Sequence, residues 1–393
     1  MMIQNTPTFM FLINFQFLPV SGIYIHIPFC KQACHYCDFH FSTNTREMDK
    51  MVQMISRELE LQKSYLGEYS TIKTVYFGGG TPSLLGKKQL EVILNTIHKN
   101  YNLELEELTI EGNPDDLNRE RLEFLKVLGF DRLSIGIQSF DQGVLQFYNR
   151  AHNSQESLLA IDKAKDAGFE KLSIDLIYGY PHSSHDLWKK DLETALTLDP
   201  GHISSYGLTI EPDTALGRWE RKGDFVPATE DYLAEQFEWM QDEMEKSGYI
   251  QYEISNFGRE GAFAVHNTNY WMGIPYLGIG PSAHSFNGLS RQYNPSHNGR
   301  YIKSLESGKL LFDLEVLNLV DGLNEYLLTS LRTIWGADLV YIQKNFKREI
   351  LKEKFQEIEQ LIQEELLQME SNKLTLTKKG KLLADGIALK IFV

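Results

Sequence analysis

One stretch decides the fold: Gly22-Ile-Tyr-Ile-His-Ile-Pro-Phe-Cys30-Lys-Gln-Ala-Cys34-His-Tyr-Cys37. It joins an apolar, strand-like run to all three cysteines of the chain. Three thiolates can hold three irons of a cubic four-iron cluster, which normally takes four, and the fourth iron is then open to an outside ligand. An odd number of cysteines in 393 residues is a poor disulfide framework. The segment therefore predicts an iron–sulfur cluster with one open iron, in a reducing, cytoplasmic setting.

Zinc is the alternative occupant of this segment. A structural zinc site takes four soft ligands, and His26, His35 or His40 could supply the fourth beside the cysteines. The three-then-two spacing directly after a strand-like run is more specific for a cluster than for zinc. We therefore expect the cluster and keep a zinc-stabilised binding module, without redox chemistry, as an alternative.

The composition is that of a globular protein with an acidic surface. Hydrophobic residues make up 42% of the chain and charged residues 23%, which is ordinary for a folded domain. The net charge is −14, from 39 basic and 53 acidic residues. Because phosphate binding needs clustered lysine and arginine, this balance disfavours a nucleic-acid partner.

The first residues of the chain are apolar and carry no charge before Lys31. They lack the basic start of a secretory signal, and Pro7 and Pro19 interrupt them. The run is also too short and broken for a membrane span. We expect residues 1–21 to be a flexible leader. A translation start assigned too far upstream is the alternative, because Gly22 would itself open a natural first strand.

Short apolar runs alternate with amphipathic segments over residues 22–248. The expected strands are Ile23–Phe29, Thr74–Phe77, Leu108–Glu111, Arg132–Gln138, Lys171–Ile177 and His202–Ile210. The expected helices are Lys50–Leu66, Lys87–Lys99, Arg119–Leu128, Glu156–Ala167, His185–Leu198 and Glu230–Lys246. Such alternation predicts an α/β fold with a parallel sheet and outer helices. Six units are too few for a closed eight-unit barrel, so we expect a partial, TIM-like (β/α)6 barrel.

The pattern changes after Gly248. Residues 249–310 are rich in Asn, Gly, His, Tyr and Ser, show little periodicity, and are expected to connect two domains. Residues 311–393 are expected to form a small helical domain of winged-helix type. Its predicted features are an apolar helical face running from Phe346 to Ile362 and a strand and turn at Leu374–Gly380 before a last helix. The acidic run from Glu357 to Glu370 argues against DNA binding by this domain.

Polar and glycine-rich motifs follow the expected strands, where parallel sheets place their chemistry. Gly78-Gly79-Gly80-Thr81-Pro82 follows the second strand, and successive glycines let a ligand approach the backbone. A tight turn is the structural alternative for these glycines. Polar residues end or follow the next strands: Glu111, Gln138, Arg150 and Asp175. Because strand ends in a sheet interior normally carry apolar side chains, polar residues at the same rim of successive strands favour a ligand site.

Together these motifs resemble those of radical S-adenosylmethionine (SAM) proteins. The phrase Tyr24-Ile-His-Ile-Pro-Phe-Cys30 is similar to a marker of the oxygen-independent coproporphyrinogen III oxidase group. The resemblance implies that Cys30, Cys34 and Cys37 hold a [4Fe-4S] cluster and that SAM completes the open iron. It implies the following SAM contacts: Tyr24, Tyr36, Gly79, Gly80, Thr81, Glu111, Gln138, Arg150 and Asp175. It assigns no further catalytic residue.

Two features distinguish branches within the group. The oxidase branch resembles Cys-x3-Cys-x2-Cys-x-Cys, whereas here Phe39 stands at the last position. The segment His266-Asn-Thr-Asn-Tyr-Trp271 resembles the His-Asn-x-x-Tyr-Trp motif of HemW-type heme chaperones. The resemblance implies heme binding by His266, Tyr270 and Trp271. Histidine is a common heme ligand and aromatic rings can stack on a macrocycle, although a hydrogen-bonded core turn is the structural alternative. His284 is a rival ligand.

The expected function is therefore a heme chaperone that binds a [4Fe-4S] cluster, SAM and heme and delivers heme to an acceptor protein. The expected partners are heme, an electron donor and a heme acceptor, for which a respiratory, membrane-bound protein is a candidate. The expected location is the cytoplasm, with peripheral membrane contact as an option. The alternatives are an oxygen-independent coproporphyrinogen III oxidase, which Phe39 disfavours, another radical enzyme such as a methylase, and the zinc-stabilised module.

Overall fold

The computed structural model describes residues 20–67 and 70–393. The expected leader lies outside these residues except for Val20 and Ser21, which belong to the first strand. The larger part of the chain contains, in order, β1 Val20–Ile27, α1 Met48–Leu61, β2 Thr71–Gly79, α2 Lys87–Asn100, β3 Asn102–Gly112, α3 Arg119–Val127, β4 Arg132–Gln138, α4 Gln142–Phe147, α5 Ser154–Asp166, β5 Lys171–Tyr178, α6 Asp186–Leu198, β6 Gly201–Gly207, α7 Ala215–Lys222, α8 Glu230–Lys246, β7 Ile250–Gln251, β8 Asn256–Gly258, α9 Val265–Trp271, β9 Tyr276–Ile279, β10 His284–Phe286, β11 Ser290–Tyr293, α10 Asn298–Glu306 and β12 Asp313–Val316.

The carboxyl-terminal part is a separate packing unit with its own apolar core. Its elements are α11 Leu319–Leu331, β13 Ala337–Asp338, α12 Leu339–Phe346, α13 Ile350–Glu353, α14 Phe355–Gln363, β14 Leu367–Glu370, β15 Lys373–Leu376 and α15 Ala384–Ile391. Its three strands form an antiparallel sheet in the order β13-β15-β14. Phe355, expected on a buried helical face, is exposed because α13 ends at Glu353 and a new helix starts in a different register.

Six parallel strands form the centre of a twelve-stranded sheet. The strand order is β12-β11-β10-β9-β1-β2-β3-β4-β5-β6-β8-β7, with β1 to β6 in chain order and parallel. The prediction of a parallel α/β sheet over residues 22–248 is confirmed. The structure adds strands that we did not expect in residues 249–316, which extend the sheet at both edges instead of only linking two domains.

Alternating side chains give the central strands one apolar and one polar face. In β1, Ile23 and Ile25 are fully buried against the outer helices, whereas Tyr24 lines an interior cavity. In β4, Leu133 is buried in the core while Arg132 lines the cavity. Successive residues of a strand point to opposite sides of a sheet, so this alternation is built into the sequence. The fold therefore encloses a polar interior within an apolar shell.

The helices that cover the sheet begin at specific capping residues. Asn153 accepts a hydrogen bond from the Glu156 amide at 3.0 Å, and the Glu156 carboxylate accepts the Asn153 amide at 2.9 Å, which closes a capping box at the start of α5. Thr229 caps α8 in a similar way through the amide of Tyr232. No helix within residues 20–67 and 70–393 is long and apolar enough to cross a membrane.

A buried carboxylate ties α1 to the added edge of the sheet. Glu58 accepts hydrogen bonds from the Gly280 amide at 2.9 Å, the Asn294 amide group at 2.7 Å and the Tyr301 hydroxyl at 2.6 Å. Burial raises the pKa of Glu58 to about 7, although these three donors act to lower it. The segment after residue 248 is thus hydrogen-bonded to α1 through the Glu58 carboxyl group, whose protonation depends on pH.

We expect Glu58→Gln to reduce the pH dependence of stability. Because the pKa of Glu58 is raised in the folded protein, its folded form takes up a proton more readily, and wild-type stability falls as pH rises from about 4.5 to 7. Glutamine at position 58 neither binds nor releases a proton in this range. As pH rises, the free energy of unfolding of the variant should therefore increase relative to that of wild type, by at most about 1.4 kcal/mol per pH unit. Urea unfolding between pH 4.5 and 8 measures the slope.

The matched control is Glu60→Gln on the same helix, because the Glu60 side chain is exposed and forms an ion pair with Arg57 on the helix surface. This control should follow the wild-type slope. Equal slopes for Glu58→Gln and wild type would contradict a titrating Glu58.

Candidate functional site

The cysteine loop leaves the carboxyl end of β1 and is pinned by backbone hydrogen bonds. The Cys30 amide bonds the Ser42 carbonyl at 3.1 Å, which closes the loop on itself. The Thr81 amide bonds the Phe29 carbonyl at 2.7 Å and thereby joins the glycine segment after β2 to the start of the loop. The three thiols are free and only partly exposed. The loop therefore presents its cysteines at the carboxyl rim of the sheet, as the sequence predicted.

All three cysteines open onto one cavity of about 430 Å³, which we call the rim cavity. Its lining includes almost every residue that the sequence proposed for SAM: Tyr36, Gly79, Gly80, Thr81, Glu111, Gln138, Arg150 and Asp175. Tyr24 is the exception, because its side chain lies deeper in the sheet. Residues of the loop after β1 and of β2, β3, β4, β5 and β6 thus converge at one rim, although they are far apart in sequence.

Arg150 organises the wall of the rim cavity. Its guanidinium lies 3.3 Å from the Cys34 sulfur and 3.3 Å from the Tyr36 hydroxyl, and it donates to the Asn113 side chain and the Gly136 carbonyl at 2.7 Å. Burial acts to lower the pKa of Arg150, but neighbouring Tyr36 and Cys34 raise it. A permanent positive charge is therefore held against the cysteine loop. Asn113 is a site residue that the sequence analysis missed, although it follows the predicted Glu111 strand end.

Two carboxyl groups face the same interior. Burial raises the pKa of Glu111 to about 8, and the nearby Asp175 raises it further, while the Tyr76 hydroxyl at 2.7 Å and the Gly79 amide at 3.1 Å oppose the change. Burial likewise raises the pKa of Asp175 to about 6. Such shifted carboxyls in a cavity are typical of functional sites. They can accept a cationic ligand such as an ammonium group once they lose their protons.

Backbone conformation marks two of the proposed contacts. Gln138 ends β4 with a φ of 67°, in the left-handed region that a residue other than glycine rarely adopts, and the strand register shifts at this point. Gly79 has a φ of 104°, which favours glycine. Strained positions of this kind cluster at ligand sites, where the surrounding structure enforces them.

The protonation of the thiols and the hydrogen bonds of the nearby histidines bear on whether the loop suits an iron–sulfur cluster or zinc. Burial raises the pKa of Cys30 to about 11 and that of Cys37 to about 12, so both are protonated in the free protein and would release protons on binding iron. Each histidine proposed as a zinc ligand is hydrogen-bonded elsewhere: His26 to Tyr24 and the His40 carbonyl, His35 to the Phe147 carbonyl, and His40 to Asn298. Among residues 20–67 and 70–393, no three Cys, His, Asp or Glu side chains are grouped to hold a single metal ion.

A second cavity of about 470 Å³ lies deeper in the sheet, and we call it the barrel cavity. It is lined by Tyr24 and by inward side chains of all six central strands. It adjoins the rim cavity, because Phe39, Glu111, Asp175 and Tyr206 line both. The inward polar residues were missed by the sequence analysis, although the alternation of polar and apolar residues in β4, β5 and β6 signals them.

The short helix α9 covers the far side of the barrel cavity and carries the proposed heme motif. His266 and Tyr270, one helical turn apart, both line this cavity. Burial lowers the pKa of His266 to about 4, so its imidazole is neutral at neutral pH. His284, the rival ligand, also lines the cavity at its exposed edge. The structure thus brings His266, Tyr270 and His284 to one space.

Trp271 does not share that space. It lines neither cavity, and the Arg332 guanidinium of the carboxyl-terminal unit lies 5.1 Å from its ring centroid. This cation–π contact packs the end of α9 against that unit. Two of the three proposed heme residues therefore face the cavity, while the third faces the neighbouring unit.

We expect Gly80→Ala to weaken assembly of the cysteine loop. An added Cβ at Gly80 would lie 2.6 Å from the Phe29 carbonyl oxygen and 2.8 Å from the Ile27 carbonyl oxygen, so backbone must move. Overpacking of this kind costs about 1–3 kcal/mol. Iron and sulfide content after anaerobic reconstitution, with the thermal midpoint, measures the effect.

Gly86→Ala is the matched control, because the nearest atom to its added Cβ is 3.7 Å away. It should reconstitute as wild type does. Normal iron content in Gly80→Ala would show that the glycine segment does not need its close approach to the loop.

The chain resembles known proteins over most of its length. The model of the Radical SAM superfamily matches residues 24–195. Heme chaperone HemW of Bacillus subtilis is 32% identical over 372 residues, which cover 94% of this chain and 98% of that protein. Heme chaperone HemW of Escherichia coli is 36% identical over 68% of this chain and 70% of that protein.

Among solved structures, coproporphyrinogen III oxidase (HemN) from Escherichia coli, described as a radical SAM enzyme, matches with a TM-score of 0.83. The match covers 95% of this chain and 90% of that one at 22% identity, and it shows the shared fold. The full-length similarity to the relatives at 32% identity shows the family. This chain therefore belongs to the radical SAM superfamily, in the group whose relatives are named heme chaperone HemW.

Proposed function

We propose that this protein is a heme chaperone that binds a [4Fe-4S] cluster, SAM and heme, and that delivers heme to an acceptor protein. The observation that carries the proposal is the pairing of two adjoining cavities, one with the three cysteines and one with the His266 motif. The names of the relatives that span the chain support it.

In this proposal the rim cavity holds the cluster and SAM. Cys30, Cys34 and Cys37 would bind three irons as thiolates, and SAM would occupy the open iron. When bound and reduced, such a cluster supplies a low-potential electron to the sulfonium of SAM. The residues of the rim cavity that would bind and orient the nucleotide are Tyr36, Gly79, Gly80, Thr81, Glu111, Gln138, Arg150 and Asp175, and Tyr24 would contribute from the adjoining barrel cavity. Glu111 and Asp175 would pair with the ammonium group only when ionised, which links SAM affinity to pH.

Heme would bind at the barrel cavity through the motif on α9. His266 offers a neutral imidazole and Tyr270 an aromatic ring on the same side of the helix. The proposed part for Trp271 is narrower, because its ring packs against Arg332. Trp271 would hold α9 in place while the other two contact heme.

The oxidase alternative receives less support from the cavity lining. Coproporphyrinogen carries four carboxylates, twice as many as heme, and therefore needs more cationic partners. Arg132 is the one basic side chain other than histidine among the residues that line the barrel cavity, and it is paired with Glu107 at 2.8 Å. Glu111 and Asp175 add negative charge to the same lining. Phe39, at the position of the fourth cysteine, also disfavours the oxidase alternative.

The proposed organisation follows from the strand order. We propose a partial (β/α)6 barrel for residues 22–248, a connecting region that extends the sheet through β12 rather than ending at residue 310, and a winged-helix-like domain that begins with α11. The helix–strand–helix order of the carboxyl-terminal unit and its β13-β15-β14 sheet support the last assignment. A cytoplasmic location, peripheral contact with a membrane, an electron donor and a respiratory acceptor belong to the same proposal.

We expect anaerobically reconstituted protein to bind hemin and to lose affinity at least about tenfold, or 1.4 kcal/mol, in His266→Ala. Tyr270→Ala should weaken binding less, because the iron ligand remains. Titration followed by the heme absorption band measures both. His98→Ala, on the outer helix α2, is the control for removal of a histidine. Unchanged binding in a His266→Ala, Tyr270→Ala, Trp271→Ala variant would remove the motif from the proposal.

Product analysis separates the enzyme alternatives from the chaperone. Under anaerobic reducing conditions with SAM and coproporphyrinogen III, we expect no protoporphyrinogen, because Phe39 stands at the position of the fourth cysteine and Arg132 of the cavity lining is already paired with Glu107. Formation of protoporphyrinogen would establish the oxidase instead, and a methylated product would establish a methylase. An iron and sulfide assay decides the third case, since zinc-loaded, colourless protein would support the zinc-stabilised module.

A further inference from the structure

We propose that Thr74 and the buried pair of Glu107 and Arg132 are positioning residues for His266, which set the tautomer of its imidazole and the place of its backbone. The inference rests on the proposed function, because it takes His266 as the residue that meets the heme iron. None of the three residues belongs to the cysteine loop or to the proposed SAM contacts.

Thr74 hydrogen-bonds the Nδ1 side of the His266 imidazole. Its hydroxyl lies 2.8 Å from His266 Nδ1, and Thr74 is completely buried on β2. A neutral imidazole has one N–H, so a free lone pair on Nε2 requires the proton on Nδ1. The Thr74 oxygen is placed to accept that proton, which leaves Nε2 as the ligand atom. Partners of this kind orient the histidines of metal sites and raise their basicity.

Two neighbours hold the plane of the same ring. Tyr76 stacks on His266 with ring centroids 5.2 Å apart and an angle of 27° between the planes. On the other strand, Gly22 leaves room for the ring, because an added Cβ there would lie 3.1 Å from His266 Cε1 and 2.8 Å from the Thr74 hydroxyl. The imidazole therefore sits in a slot formed by β1 and β2, with one orientation available.

The Glu107–Arg132 pair holds the backbone that carries the ring. The Glu107 carboxylate accepts the amides of Val265 and His266 at 2.9 and 3.0 Å, where α9 begins. Arg132 donates to Glu107 at 2.8 Å and to the carbonyls of Ala262 and Phe263 at 3.1 and 2.9 Å. Both side chains are almost fully buried.

This pair is fully hydrogen-bonded, which offsets the cost of burying its charges. Four hydrogen bonds to four of the five residues 262–266 hold this segment, whereas a pair that served only the sheet would need none of them. Arg132 also donates to the Ser173 hydroxyl on β5 at 3.1 Å, so the buried ion pair joins the sheet to the short segment that presents His266 to the barrel cavity.

The test uses full-length, reconstituted protein and hemin as the probe. Thr74→Val keeps the volume of the side chain and removes the acceptor, and Thr74→Ser keeps the hydroxyl. We expect Thr74→Val to bind hemin at least about tenfold more weakly and to give an altered EPR spectrum of the ferric heme. Thr74→Ser should restore both affinity and spectrum. A role in folding alone would not produce a spectral change that serine rescues.

Thr71→Val is the matched control. Thr71 lies on the same strand as Thr74 but lines neither cavity, and its hydroxyl accepts a hydrogen bond from the Asn102 side chain at 3.0 Å. It should bind hemin as wild type does. Equal weakening by Thr71→Val and Thr74→Val, or wild-type binding and spectrum in Thr74→Val, would overturn the inference.

A second measurement does not depend on heme. Long-range proton–nitrogen NMR of histidine-labelled apo protein, with His266→Gln for assignment, reports the tautomer directly. We expect Nδ1–H in wild type and a mixture of tautomers in Thr74→Val, whereas Nε2–H in wild type would overturn the inference. Glu107→Gln should weaken hemin binding while iron content stays normal. If wild type binds no hemin at all, the proposed function is wrong. The tautomer of His266 then still shows whether Thr74 positions the imidazole.

Discussion

Parallel pairing of six consecutive strands is the constraint on which the rest of this structure depends. It brings every carboxyl strand end to one rim, and it points alternate side chains of every strand into one interior. The cysteine loop, the glycine segment and Arg150 meet at the rim for that reason, although the cysteine loop and Arg150 are more than a hundred residues apart in sequence. The polar inner faces of the same strands create the barrel cavity behind the rim.

Much of the centre of the fold was predictable from the sequence, because its strands are long enough to show their pattern. The six expected strands and the expected helices between Lys87 and Lys246 appear with shifts of up to three residues at their ends, except that β3 begins at Asn102, six residues before the expected start at Leu108. The contacts at the rim were predictable as well, since Cys30, Cys34 and Cys37 are locally spaced and the remaining residues follow strands. Tyr24 was the exception, because a side chain inside a strand reaches a deeper level than one beyond its end.

The added strands and the heme motif could not be located from the sequence. Strands of two to four residues, such as Asn256–Gly258, are too short for periodicity, and their pairing partners lie far along the chain. The chain crosses between both edges of the sheet within residues 250–279, which only long-range contacts decide. For the same reason the sequence did not show that Trp271 faces Arg332, or that the partner of His266 is Thr74.

Glu111 and Asp175 form a shared wall between the rim cavity and the barrel cavity. Both are carboxyls whose pKa values burial moves toward neutrality. A cationic ligand that ionises them from one side would add negative charge to the wall of the other cavity. Any coupling of affinities that this charge produces would be equal in both directions, because linkage between two sites is reciprocal.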